Sequence, residues 1–117
     1  MSRTALISLV ALFALIAACS GGDDARTVAI TIDEQACAPA TIAAKPGERL
    51  ALEVTNRASA DREVEGIDGT KLNETLIPAG RSRTLHYTVA DGDGTNRLKC
   101  YQPSGPTTII EIAASAE

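Results

Sequence analysis

The sequence predicts an all-β, Greek-key β-sandwich of about seven strands, and three observations predict it. From Thr27 onward apolar residues recur with period two, Gly, Pro, Asn and Asp cluster between those stretches, and no segment sustains a helical period. Val28, Ile30 and Ile32 alternate with Thr27, Ala29 and Thr31, as a strand buried on one face requires. Leu50, Leu52 and Val54 alternate in the same way with Ala51, Glu53 and Thr55. Between these two strands, Thr41 to Ala44 is a short strand closed by Lys45-Pro46-Gly47-Glu48, where Pro sets φ and Gly is free to take positive φ. Turns at Pro78-Ala79-Gly80 and Asp91-Gly92-Asp93-Gly94 flank a strand over Thr84 to Val89, in which Leu85, Tyr87 and Val89 face one way. A strand over Thr107 to Ala113 completes the pattern.

The segment ahead of Thr27 has a different character. Arg3 precedes an apolar run from Ala5 to Ala18, the layout of an export signal, and the run is too short to span a bilayer comfortably. It ends in Ile16-Ala17-Ala18-Cys19, which resembles a bacterial lipobox, so residues 1–18 are read as a lipoprotein signal peptide and Cys19 as the lipidated residue. Ser20-Gly21-Gly22-Asp23-Asp24 then reads as a flexible tether within residues 19–26, which puts the domain at residues 27–117. The expected location is extracytoplasmic, on the periplasmic side or at the cell surface of a bacterium, held to the membrane by lipid. Without Arg3 the chain carries ten basic against fifteen acidic side chains, a balance that disfavours nucleic acid as a partner.

In such a compartment Cys37 and Cys100 admit two chemistries. A disulfide between them would close a loop of about 64 residues and stabilise a small domain by roughly 4 kcal/mol on the chain-entropy account. Alternatively, both thiols could face one metal, because soft sulfur donors select copper(I), zinc or related ions. Neither cysteine sits in a CxxC motif. Glu63 and Glu65, two apart, point to one face of their strand and Val64 to the other. His86, the only histidine, alternates with Leu85 and Tyr87 and is expected on the solvent side. One exposed histidine and two distant cysteines provide no nucleophile with an adjacent base, so binding is predicted and an enzyme is not. A type 1 blue-copper centre, with two imidazoles, a thiolate and usually an axial thioether, is excluded by inventory, since the chain has one His and its only methionine is Met1.

The order of motifs resembles one family. Cys37-Ala38-Pro39 follows the first strand, then come Lys45-Pro46-Gly47, Val54-Thr55-Asn56, Glu63 and Glu65, Gly69, Ile77-Pro78-Ala79-Gly80 and Cys100. This series is similar to the cupredoxin-like domain of EfeO-type periplasmic iron-transport components and spans about Val28 to Ala113. The resemblance implies a cupredoxin-like sandwich and a copper or iron ion bound by the residues matching the family's proposed ligands, Cys37, Glu63 and Cys100, with Glu65 a further candidate. Two thiolates and a carboxylate would make a compact anionic cup for a cation. Departures from the family are Val64 in place of its usual aromatic and Tyr101-Gln102 after Cys100. Longer relatives carry an additional helical domain, so the role implied here is metal capture or handover, with a metal-transport or redox protein as partner. The alternative is a metal-free structural or interaction lipoprotein domain held by the Cys37–Cys100 disulfide.

Overall fold

Alternating apolar residues and regularly spaced turns produce strands wherever the pattern runs for four residues or more. A computed structural model describes residues 24–91, 95–102 and 107–115. The lipobox, Cys19 and most of the tether, together with residues 92–94 of the Asp91-Gly94 turn, lie outside them. The described residues form nine strands and no helix: β1 (Arg26–Ile32), β2 (Cys37–Ala38), β3 (Thr41–Ala44), β4 (Arg49–Asn56), β5 (Arg62–Ile67), β6 (Thr75–Ile77), β7 (Ser82–Thr88), β8 (Arg97–Tyr101) and β9 (Thr107–Ala114). About seven strands are expected and nine are found; the sequence reading places no strand at β2, β6 or β8, and β2 and β6, at two and three residues, are too short to show a period.

Two sheets stack as a sandwich, one ordered β2-β1-β4-β7 and the other β3-β9-β8-β5-β6. β1 pairs parallel with β4 and β3 parallel with β9, because the chain crosses from one sheet to the other between them. The predicted alternation sets the core. Ile30, Ile32, Leu50, Leu52 and Val54 from the first sheet meet Val64, Ile77, Leu98 and Ile110 from the second, all of them excluded from solvent. Gly66 lets the following loop close tightly, since a Cβ there would lie 2.3 Å from the Thr70 carbonyl oxygen.

Polar anchors hold the turns. Gly47 has φ +77°, as the Lys45-Glu48 turn requires, and the Glu48 amide donates to the Lys45 carbonyl at 3.0 Å. The Glu48 carboxylate in turn accepts from Arg26 Nε at 2.8 Å and from the Lys45 amide at 3.0 Å. These contacts, the Arg26 hydrogen bond foremost, hold the Glu48 carboxyl below its ordinary value. A carboxyl depressed in the folded state contributes stability above about 4.5, the ordinary glutamate value, and loses it as pH falls through the lower folded value. Melting curves of Glu48→Gln are therefore expected to lie below those of the parent near neutrality and to converge with them in acid. Curves that stay parallel down to low pH would reject this role for Glu48. At the far end of β7, Asn96 Oδ1 accepts from both the Tyr87 hydroxyl and the Ala90 amide, which ties the strand's exit to β8.

Candidate metal centre

The two cysteines come from opposite sheets and meet inside the sandwich. Asp33 opens the turn that delivers Cys37: its Oδ1 accepts from the amides of Gln35 and Ala36, each at 2.8 Å, and its own amide donates to the Ala36 carbonyl at 2.9 Å. Those donated hydrogen bonds, Ala36 first, hold the Asp33 carboxyl below its ordinary value. Cys37 then pairs with Ile32 on β1, and its amide donates to Thr108 Oγ1 on β9 at 3.2 Å, which pins β2 to the second sheet. Cys100 lies on β8 opposite Val64 on one side and Thr108 on the other, so all three share the inward face.

Cys37 is 7% exposed and Cys100 2%, and both are free thiols. The Cys100 thiol is pushed far up, first by the hydrogen bond with the adjacent Cys37 thiol, then by burial, then by the charge that Cys37 would carry if ionised. Two thiolates side by side in a dry site repel each other unless a cation stands between them. The two sulfurs are not bonded to each other in this structure, and the juxtaposition of Cys37 with Cys100 that both chemistries need is present.

Glu63 is placed elsewhere. Val64, not Glu63, is the register partner of Cys100, and Glu63 stands opposite Tyr101 on the outer face of the same sheet. Glu65 lies on that outer face with Lys99, whose Nζ is 3.1 Å from the Glu65 carboxylate and 4.1 Å from the centre of the Tyr101 ring. The Tyr101 hydroxyl donates to Glu74, and this bond, ahead of burial and of Glu63 and Glu65, raises the phenol well above its ordinary value. The structure therefore joins Cys37 to Cys100 and puts the sheet between them and both candidate glutamates. Among the described residues no three His, Cys, Asp or Glu side chains stand together in a way that could hold a metal ion. His86 is exposed on β7, as its alternation predicts.

Sequence reasoning missed Arg62. It has the same parity on β5 as Val64, and so faces inward, at 5% exposure. Its guanidinium donates to the carbonyls of Ala60 and Asp61, each at 3.3 Å, and lies 3.9 Å from the carboxylate of Glu34. With Cys37, Cys100, Thr108 and the Asp33 turn it lines a cavity of about 10 Å³, about one water probe in size. The parity signal was present in Arg62-Glu63-Val64, where a buried Val64 commits Arg62 to the same side.

The donor set decides which group could sit here. Two thiols without an imidazole fit a soft ion of low coordination number and do not fit a type 1 copper centre. Solved structures share the fold at low identity. A sodium-dithionite-reduced auracyanin from the photosynthetic bacterium Roseiflexus castenholzii aligns with a TM-score of 0.59 at 16% identity, over 76% of this chain and 98% of its own. Auracyanin B aligns with a TM-score of 0.57 at 15% identity, over 74% and 88%. The copper nitrite reductase of Nitrosomonas europaea aligns with a TM-score of 0.54 at 16% identity, over 79% of this chain and 50% of that enzyme. No curated protein sequence matches significantly. Residues 5–95 match the cupredoxin-like domain, a span that ends before Cys100. With most of its length inside that match, this chain belongs to the cupredoxin-like domain family.

Proposed function

We propose that this protein is an extracytoplasmic, lipid-anchored cupredoxin-like module that binds a copper ion through Cys37 and Cys100, for capture or handover and not for catalysis. The observation that carries the proposal is a pair of buried thiols in contact across the sandwich, in a fold whose solved neighbours include a copper nitrite reductase. Copper is favoured over iron because ferric iron wants oxygen donors, and the carboxylate that would supply them, Glu63, is on the far side of the sheet. The lipobox ending at Cys19 supports the anchor, and a copper-transport or redox protein is the partner that a handover role requires.

The test uses the full chain carrying Cys19→Ser, so that only Cys37 and Cys100 can react. Alkylation under denaturing conditions should count two thiols, and anaerobic titration with Cu(I) against a chromophoric chelator should load one ion per chain. Two free thiols with no copper retained would overturn the proposal. No free thiol after aerobic purification would favour the metal-free interaction domain stapled by a Cys37–Cys100 disulfide.

A further inference from the structure

The geometry points to a second binding surface, the free edge of β7, whose occupant is an extended, acidic segment of a partner protein that adds to the sheet as a further strand. It lies on a different strand from either cysteine and does not rest on the metal-binding reading. The two sheets end in β2, β3, β6 and β7. Three of these edges are two, four and three residues long, whereas β7 runs for seven, Ser82–Thr88. Shortness protects an edge against stray pairing, and β7 lacks that protection. Its backbone polarity is fixed by β4. The Arg81 carbonyl accepts from the Asn56 amide at 2.9 Å and the Val89 amide donates to the Glu48 carbonyl at 2.8 Å, so the odd-numbered residues turn their amides and carbonyls to β4. Ser82, Thr84, His86 and Thr88 turn theirs outward, and no strand among the described residues pairs with them. An incoming strand therefore meets a regular row of backbone donors and acceptors.

Charge selects the occupant. A groove runs along β7, between Thr84, Leu85 and His86 on one side and Lys71, Leu72 and Asn73 on the other. Arg83 shares the parity of Leu85 and Tyr87, which puts it on the sheet face that looks toward the second sheet, and Arg81, just ahead of the strand, has the same parity. Lys71, Arg81 and Arg83 are all exposed, and none of them enters an ion pair among the described residues. Glu53, the carboxylate that register brings opposite Thr84, stands on the outer face of the sheet, and Asp91 lines only the far end of the groove. On a chain with fifteen acidic and eleven basic side chains, this edge is locally cationic. Two copies meeting edge to edge would bring like charges together, which disfavours a second copy as the occupant. A strand with carboxylates at alternate positions, on the face that meets Arg83 and Lys71, is the complement.

The experiment uses the full Cys19→Ser chain and a blocked, fluorescein-labelled peptide of alternating Glu and Val, as long as β7, with a Lys–Val peptide of the same length as control. Fluorescence anisotropy reads affinity, and amide hydrogen exchange followed by NMR reads where the peptide lies. The Glu–Val peptide is expected to bind at least about tenfold more tightly than the Lys–Val peptide and to slow exchange at Ser82, Thr84, His86 and Thr88. Arg83→Glu should weaken it by about 5- to 20-fold, because an exposed charge pair is lost and a repulsion takes its place. Thr84→Pro removes one outward amide and no bond to β4, and should weaken it by about tenfold. Far-UV circular dichroism checks that both variants are folded. Equal binding of the two peptides, no binding of the Glu–Val peptide, or protection confined to other strands overturns the proposal. So does a folded Arg83→Glu that binds as the parent does, and this arm decides if Thr84→Pro does not fold. A dimer of the parent chain in sedimentation that Arg83→Glu or Thr84→Pro dissolves would give the edge to a second copy, and it too overturns the proposal.

Discussion

Cys37→Ser is expected to abolish Cu(I) binding while leaving the sandwich folded. One of two donors is lost, and a serine hydroxyl is a poor ligand for a soft ion, so about half of the ligand-derived binding free energy goes and affinity falls by at least roughly a thousandfold. The fold should survive because the group that ties β2 to β9 is the backbone amide of residue 37, which donates to Thr108 Oγ1 whatever side chain it carries. Glu63→Gln is the matched control, and its Cu(I) affinity should equal that of the parent, since Glu63 faces Tyr101 across the outer surface. A chelator-competition titration reads both. Retained affinity in Cys37→Ser, or a large loss in Glu63→Gln, would mean that the metal is held by a carboxylate-containing site and not by the thiol pair.

The largest expected loss of stability is at Asn56. This side chain is fully excluded from solvent, and all of its hydrogen-bonding atoms are engaged. Nδ2 donates to the carbonyls of Ala60 at 3.0 Å and Ile77 at 2.9 Å, and Oδ1 accepts from the Ala58 amide at 2.9 Å. Its backbone is used as well, donating to the Arg81 carbonyl and accepting from the Gly80 amide, both at 2.9 Å. One residue at the end of β4 therefore organises the loop into β5, the end of β6 and the turn into β7. In Asn56→Ala the buried Ala58 amide and Ile77 carbonyl lose this partner at about 1–3 kcal/mol each, while the Ala60 carbonyl keeps its bond from Arg62, for a net cost of about 4 kcal/mol. Thermal denaturation should show Tm lowered by about 15–30 °C for a domain of this size. A decrease of only a few degrees would show that water replaces these bonds and that the loop is not held by Asn56.

The metal chemistry was only partly legible in the sequence, and particular residues show why. The alternation around Ile30, Leu52 and Leu85 marked which side chains face the core, because a strand's period of two is a local property and burial follows from it. By the same logic His86 is outward and Glu63 and Glu65 share a face. The inward arginine at position 62 was readable in the same way, from its parity with Val64, but a charged residue on the buried face runs against the composition of cores and is easily passed over. β2 and β6 escaped notice because a two- or three-residue strand is defined by its neighbours and carries no period of its own.

By itself, then, the sequence determined the all-β class, most of the sandwich strands, the inventory that rules out a type 1 copper site, and the presence of two cysteines within the domain, Cys37 and Cys100. Only the tertiary structure decided which of the candidate ligands meet. Within β5 the sequence requires Glu63 and Val64 to point oppositely, but which of the two shares a face with Cys100 depends on the register between β5 and β8, a relation between residues far apart in the chain. A slip of one residue would have put Glu63 beside the thiol. The observed register pairs Val64 with Cys100 because that alignment buries the apolar faces of both strands, and it thereby leaves both glutamates on the opposite face and Arg62 on the side of the small cavity that the two cysteines line.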